Sequence, residues 1–254
     1  MVSPGLELSD AILLLAILQA NVAQITADRA LQARYAALDA LPEDSLRRPI
    51  SVSALAASRG LPFETVRRRL GSLAREGLCE LTERGYRVPG EVLRRPQFAD
   101  GPVRIQDLVQ GLAAALAEAG RQPPMILVDA PAQPRIVARI ATDYVLRMLS
   151  LLVDRVGDPV DGFLLLALFD AAPAPASAAD VARRLCLTHE TARRRLWALA
   201  RRGLCARGRR GWVLRPASLD ALRLEEAMLA NIAHLRLMFS SLARFGAMAP
   251  AARA

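Results

Sequence analysis

The chain has 254 residues, which is long enough for one large domain or two ordinary ones. Hydrophobic residues make up 53% of it but aromatic residues only 4%, so buried cores must be built mostly from Leu, Ala, Val and Ile, a mixture that favours helices. The formal net charge of +9 indicates a polyanionic partner.

The first predicted element is a helix that contains the apolar run 11–18. This run follows acidic rather than basic residues and is far shorter than the roughly 20 residues needed to span a membrane, so we expect a core helix and no membrane contact. The three cysteines, Cys79, Cys186 and Cys205, form no CxxC pair. We expect reduced thiols, with Cys79 and Cys205 packed in the core, and a cytoplasmic protein.

The pattern Glu-Thr-x-Arg-Arg-Arg-Leu occurs at 64–70 and again at 190–196, 126 residues later. The offset holds without a gap from 51–89 to 177–215, and 17 of these 39 aligned positions are identical. Chance would give only about 4 identities at this composition. The sequence therefore contains an internal duplication.

Weaker similarities extend the repeat on both sides. Segment 10–18 resembles 161–169 at an offset of 151, so the first copy carries 151 − 126 = 25 extra residues, which include a predicted helix over 21–38. Downstream, 108–120 resembles 234–246 at the offset of 126. Each unit is thus predicted to contain a helix, two short helices, a hairpin and a closing helix.

Local signals place the elements of each unit. Ser51 and Ser177 can N-cap the first short helix, and Thr188 can N-cap the second helix of the second copy. The first copy's second helix is predicted from about Phe63 to Glu76. Gly77 and Gly203 follow the paired helices as C′ glycines. The next segments predict two-stranded hairpins at 78–88 and 204–214.

The positive charge is concentrated in the repeats. Segment 177–216 holds 11 Arg against two acidic residues, a net charge of +9, whereas 51–89 holds 7 Arg against 4 Glu, a net charge of +3. All 34 basic residues are Arg, so their distribution is better evidence than their number. The remainder of the chain carries 9 − 12 = −3.

A helical wheel separates the two faces of each arginine helix. Val66, Leu70 and Leu73 fall on one face, as their counterparts do in the second copy, and most of the Arg residues fall on the other. Such a helix suits a major groove, where Arg pairs with guanine or with phosphate. Arg69 and Arg195 fall nearer the packed side. Trp197 replaces Gly71 on the outer face, where packing on another domain is favoured over DNA contact.

The segments LPFETVRRRLGSLAREGLCE and LTHETARRRLWALARRGLCA resemble the helix-turn-helix and wing of bacterial winged-helix regulators such as the GntR and MarR groups. The resemblance covers about 40 residues per copy. It implies that the start of each second helix contacts DNA and that the hairpins are wings. The predicted DNA-binding residues are Glu64, Thr65, Arg67, Arg68, Arg75, Arg84 and Arg87 in the first unit, and His189, Glu190, Thr191, Arg193, Arg194, Arg201, Arg209 and Arg210 in the second.

The predicted fold is mainly α with small β-hairpin wings, organised as two winged-helix units joined and flanked by long helices. The first unit spans 1–120 and the second 158–254. Between them, 121–157 is predicted to hold a Pro-rich connector over 122–134 and a linker or oligomerisation helix over 135–156.

We expect a sequence-specific DNA-binding transcriptional regulator, with double-stranded DNA as partner and a homodimer formed through the long apolar helices. The alternative is a chromosome-partition, nucleoid or replication-initiation protein in which one unit mediates protein contacts. Because no metal-ligand cluster, phosphate loop or GxSxG motif occurs, we expect neither an enzyme nor a cofactor. The sequence leaves open a small-molecule effector among the apolar helices 8–38, 104–119 and 135–156.

Overall fold

A computed structural model describes residues 6–121, 125–127 and 133–250. Within these ranges the protein is mainly helical, with two short antiparallel hairpins and one further pair of antiparallel strands. The prediction of a mainly α fold with small hairpins is confirmed at this level. None of the described helices has both the length and the apolar character needed to cross a bilayer.

The first repeat unit contains eight helices and two hairpin strands within the described residues. In chain order these are α1 (Leu8–Asn21), α2 (Ala23–Ala27), α3 (Arg29–Arg34), α4 (Val52–Arg59), α5 (Phe63–Arg75), β1 (Glu80–Thr82), β2 (Gly85–Arg87), α6 (Gly90–Arg94), α7 (Pro96–Ala99) and α8 (Gly101–Glu118). A 3-10 turn, Asp44–Leu46, precedes α4.

The helix predicted over 21–38 is wrong as a single element, because the structure has α2 and α3 there. Asp28 separates them in an extended conformation. Its carboxylate accepts hydrogen bonds from the amides of Ala30 and Leu31 at 2.8 and 3.0 Å, which caps α3.

The second repeat unit follows a strand and a long helix. The remaining elements are β3 (Met125–Leu127), α9 (Pro134–Val156), α10 (Pro159–Ala171), α11 (Ala178–Arg184), α12 (His189–Arg201), β4 (Cys205–Gly208), β5 (Gly211–Leu214), α13 (Pro216–Ala221), α14 (Leu224–Arg244) and β6 (Met248–Pro250). The helix predicted over 135–156 is confirmed as α9. Of the predicted connector over 122–134, the structure describes only 125–127, where β3 lies, and the residues at the start of α9; the rest falls outside the described residues.

The duplication is visible in the local structure of both units. The hydroxyl of Ser51 accepts a hydrogen bond from the third amide beyond it at 3.1 Å, and the hydroxyl of Ser177 does the same at 3.0 Å, as predicted for N-caps. Gly85 and Gly211 have φ of +126° and +145°. A Cβ at Gly85 would lie 2.3 Å from a backbone oxygen of Ile50, and the second unit has the equivalent close approach, so both hairpins require glycine at this position.

The closing helices α8 and α14 also end alike. Gly120 and Gly246 adopt φ of +64° and +70°, and the amide of the next residue in each case donates back to a carbonyl of the helix at 2.8 Å. The strands that follow, β3 and β6, pair with each other in antiparallel register. The two units are therefore joined at their ends as well as through α9.

One apolar core runs through both repeat units. It includes Leu13 of α1, Leu70 of α5, Leu164 of α10 and Leu196 of α12, all of which are fully buried. Helices α1 and α10 contact each other and both contact α9, while α5 packs on α1 and α12 packs on α10. The arginine helices α5 and α12 thus lie on either side of a central helix pair. A second, smaller cluster lies between α8, α9 and α14.

Candidate nucleic-acid interface

Helices α5 and α12 each bury one face and expose the other. The buried positions are Val66, Leu70 and Leu73 in α5 and Ala192, Leu196 and Leu199 in α12. The opposite face is exposed and holds Glu64, Arg67, Arg68 and Arg75 in α5, and His189, Glu190, Arg193, Arg194 and Arg201 in α12. Most of the predicted site residues are therefore brought onto two equivalent helix faces.

The third Arg of each Arg-Arg-Arg run faces the protein rather than solvent. Arg69 lies 2.8 Å from a carboxylate oxygen of Asp10, and Arg195 lies 2.8 Å from one of Asp161. Burial raises the pKa of Asp161, and the hydrogen bond from Arg195 opposes that rise. These two ion pairs fix α5 to α1 and α12 to α10.

The first Arg of each run forms an exposed ion pair with the Glu three residues before it in the same helix. Arg67 lies 2.8 Å from Glu64, and the Arg193 guanidinium donates two hydrogen bonds of 2.9 Å to the Glu190 carboxylate. The carboxylates raise the pKa of both arginines, and the pKa of Glu190 is lowered in return. Exposed pairs of this kind contribute little stability, so either Arg is able to exchange its partner for a phosphate or a base.

The second Arg of each run has no ion-pair partner among the described residues. Arg68 and Arg194 are exposed and form no hydrogen bond or ion pair with any residue of the described ranges. Beside them, Thr65 and Thr191 are half-buried at the flank of the helix. The hydroxyl of Thr191 is 2.8 Å from that of Thr188, which also N-caps α12 as predicted.

The two hairpins differ in the charge that they expose. Arg84 is exposed at the turn of the first hairpin, and Arg209 and Arg210 are exposed at the turn of the second. Arg87, by contrast, is held inside the first unit. It donates to the Glu80 carboxylate at 2.9 and 2.5 Å and to the backbone oxygen of Asp44 at 2.7 Å. These bonds hold Arg87 within the first unit, and its predicted DNA contact stays a prediction.

No family model, curated protein or solved structure matches this chain. A functional assignment therefore rests on the charge and the apolar surface of the two units.

Trp197 packs on the hairpin of its own unit. Its ring lies 5.1 Å from that of the buried Trp212, edge to face at 84°, and the Arg207 guanidinium lies 5.9 Å from the Trp197 ring. Trp197 keeps 42% of its surface exposed beside this contact, and its packing on another domain stays a prediction. Arg207 was missed by the sequence analysis, although the offset of 126 aligns it with Leu81 and so marks the position as one where the copies differ in charge.

The first unit exposes apolar side chains where the second has polar ones. Phe63 and Leu81 are 44% and 67% exposed, and the repeat aligns them with His189 and Arg207. Together with the lower net charge of the first unit, these substitutions make its outer face the less cationic of the two.

The equivalent cysteines are buried at the start of the hairpins, as expected. Cys79 and Cys205 lie 3.8 and 3.4 Å from carbonyl oxygens of the preceding helices. Burial raises the pKa of both thiols to about 11. Cys186 is exposed.

Proposed function

We propose that this protein is a sequence-specific DNA-binding transcriptional regulator with two winged-helix units. In this proposal α5 and α12 are recognition helices that enter major grooves, and the two hairpins are wings. The supporting observation is that the same exposed face, with one free Arg and one exchangeable Arg, occurs twice on helices whose opposite faces are buried. A helix of this kind fits the width of a B-DNA major groove.

The chemistry of the face suits base reading. Arg68 and Arg194 have no intramolecular partner to give up among the described residues, so bidentate pairing with O6 and N7 of guanine costs them no ion pair. Glu64 and Glu190 are able to accept from the amino group of cytosine once their Arg partners turn to DNA. The remaining exposed arginines, Arg75, Arg84, Arg201, Arg209 and Arg210, suit phosphate contacts.

Two recognition helices joined in one chain would suit a single DNA molecule. From α5 to α12 the path crosses three helix contacts, through α1 and α10. Successive major grooves on one side of DNA lie about 34 Å apart, so we expect half-sites about 10 bp apart. Covalent linkage raises the effective concentration of the second unit once the first is bound.

Substitution of the outer arginines tests the recognition helix. Arg193→Ala and Arg194→Ala should each weaken specific binding by roughly 5- to 150-fold, as expected for an Arg that reads a base. Arg147→Ala is the matched control, because it removes an exposed Arg of α9 that is also paired with a carboxylate and lies outside both repeat units. Binding is followed by fluorescence anisotropy at several salt concentrations. Unchanged affinity and unchanged salt dependence in both α12 variants would refute the recognition helix.

A second function is favoured by two exposed apolar side chains of the first unit. The exposure of Phe63 and Leu81 fits a protein that uses one winged-helix unit for protein contacts, as in a tandem winged-helix chromosome-partition, nucleoid or replication-initiation protein. Footprinting at saturating protein separates the two candidates. A discrete protected site supports a regulator or an initiator, whereas uniform protection supports a nucleoid role.

A homodimer is part of the proposal, and α14 offers the face for it. Met228, Leu229 and Ile232 are 60%, 63% and 41% exposed and lie on one side of the helix. Two such faces packed together would bring four winged-helix units to the DNA.

A further inference from the structure

A cavity of about 600 Å³ lies between α1, α8 and α9, on the side of the molecule formed by the closing helices. Its apolar walls include Leu14, Leu18, Phe98, Ile105, Leu112 and Val145. This volume falls within the range of sites for small organic ligands, about 300–1,000 Å³.

Three arginines from two distant parts of the sequence line the same cavity. Arg47 comes from the segment between α3 and α4, and its side chain is only 1% exposed. Arg135 and Arg139 lie one turn apart at the start of α9, where Arg139 is also buried. Buried arginines are rare without a compensating partner. The charges around this group therefore indicate which kind of ligand it can bind.

Backbone carbonyls hold the guanidinium groups but do not neutralise them. Arg47 donates to oxygens of Pro42 and Val88, both at 3.2 Å. Arg135 donates to the oxygen of Leu38 at 3.0 and 2.6 Å. Arg139 donates to the oxygen of Tyr35 at 2.9 Å through Nη2.

The charge of the group is left largely unbalanced. The Nη1 atom of Arg139 is buried and has no hydrogen-bond partner in the described parts of the chain. Within the same ranges, two carboxylates act on the three guanidinium groups: that of the half-exposed Asp44, 3.5 Å from Arg47, and that of the exposed Asp39, whose charge acts on Arg135. Burial and the neighbouring guanidinium groups lower the pKa of Arg135 and of Arg139 to about 10, which leaves both charged at neutral pH. The positive end of the α9 dipole lies beside them and adds to the unbalanced charge.

Charge and apolar surface are separated along α9. Arg135 and Arg139 occupy its first two turns, whereas Val145 lies about 9 Å further along the helix from Arg139, at about 1.5 Å per residue. Three guanidinium groups match an anionic head that accepts several hydrogen bonds, and the apolar walls beyond them match a hydrocarbon tail.

We infer that this cavity is a binding site for an amphipathic carboxylate, with the carboxylate held by Arg47, Arg135 and Arg139 and the aliphatic chain packed between α1, α8 and α9. The site is separate from the outer faces of α5 and α12, so binding of the ligand can be measured in the absence of DNA.

Calorimetric titration of the full chain with decanoate tests the assignment. Decanoate should bind and raise the melting temperature, and affinity should rise about fourfold for each methylene from octanoate to decanoate. Decan-1-ol has the same chain without charge, and decyltrimethylammonium has the opposite charge, so both should bind at least about tenfold more weakly. Equal binding of decanoate and decan-1-ol would overturn the proposal, as would no binding of decanoate. If decyl phosphate binds more tightly than decanoate, the preferred head group is a phosphate and not a carboxylate.

Substitution of the arginines that line the cavity tests where the carboxylate of the ligand binds. Arg139→Met should lower decanoate affinity roughly tenfold to a hundredfold, because it removes the buried guanidinium whose Nη1 atom has no hydrogen-bond partner among the described residues. The variant should melt no lower than the wild type, since it also removes a buried charge. Arg104→Met is the control, because Arg104 lines the same cavity but is exposed, and it should bind decanoate within about threefold of the wild type. Arg135→Met provides the same test if Arg139→Met does not fold. Unchanged decanoate affinity in the variants at 135 and 139 would refute the site.

Discussion

The Arg195 guanidinium lies 2.8 Å from the Asp161 carboxylate and holds helix α12 on α10. The first unit repeats this contact between Arg69 and Asp10, also at 2.8 Å. The two arginines are 126 residues apart and the two aspartates 151, so the same contact forms on both sides of a 25-residue insertion. The insertion is therefore accommodated outside the contact between α1 and α5.

Removal of the buried ion pair should destabilise the protein. Arg195→Met leaves Asp161 half-buried without its donor, and we expect a loss of about 1.5–3 kcal/mol in the free energy of unfolding at pH 7, measured by urea denaturation. Arg193→Met removes an Arg from an exposed pair and should cause no measurable loss. Equal stabilities of the two variants would contradict the role assigned to Arg195.

The loss caused by Arg195→Met should grow with pH. Burial already raises the pKa of Asp161 above its usual value of 3.8, and removal of Arg195 should raise it further. In the folded variant, the Asp161 carboxyl then keeps a proton at pH values where the unfolded chain has released it. The free energy of unfolding of the variant therefore falls as pH rises from about 4 to 7. The difference between wild type and variant should thus be smaller at pH 4 than at pH 7. A difference that does not change with pH would contradict this account.

The reactivity of the thiols should show whether the starts of the two hairpins are buried. At pH 8 a thiol of pKa about 11 is ionised to only about 0.1%, and Cys79 and Cys205 are also buried, so neither should react with a thiol reagent in the native protein. Cys186 is exposed and should react alone, whereas all three cysteines should react in urea. Cys186→Ser is the control and should remove the native reaction. Rapid native labelling at all three positions would contradict the buried hairpin starts.

The duplicated segments were the most predictable part of the fold. Ser51, Ser177 and the paired Leu and Gly residues set helix starts, buried faces and turns through local interactions, and the structure has all of them. The pairing of β3 with β6 was not predicted, because it joins segments more than 120 residues apart that carry no strand signal of their own. In the same way, Arg47, Arg135 and Arg139 meet only because α9 packs beside the insertion.

Within the candidate site, periodicity separated the faces of α5 and α12 but did not identify the partner of each Arg. Arg87 was predicted to contact DNA from the first wing, and its engagement with Glu80 and Asp44 depends on the position of the insertion. Arg69 and Arg195 were predicted near the packed side, and the structure adds the aspartates that hold them. Long-range contacts of this kind cannot be read from residue spacing alone.

One exposed apolar residue of the first unit can be converted to its charged counterpart in the second unit. Leu81→Arg introduces the residue that the repeat aligns with it, Arg207. If both units contact DNA, we expect this variant to bind about two- to fivefold more tightly and with a steeper salt dependence, since one phosphate contact is added. Leu81→Gln is the uncharged control. Unchanged DNA affinity in Leu81→Arg would mean that the first wing does not face DNA, which would favour the protein-contact function for this unit.

Occupation of the cavity should alter DNA binding. Arg47 lines the cavity and also donates to the Val88 oxygen, directly after the first wing, and α1 lines the cavity while Asp10 holds α5. Saturating decanoate should therefore change the DNA affinity of the wild type by about 5-fold or more, and DNA should change decanoate affinity by the same factor. Arg139→Met should bind DNA equally with and without decanoate. Tight decanoate binding with no effect on DNA affinity would leave the site in place but refute the coupling.

Selection of bound sequences from a random duplex DNA library tests the central claim most directly. The wild type should enrich a two-part sequence with half-sites centred about 10 bp apart, and Arg194→Ala should lose the preference at one half-site while it keeps the other. Failure of the wild type to enrich any sequence, with no salt-dependent binding to duplex DNA, would contradict the assignment of α5 and α12 as recognition helices.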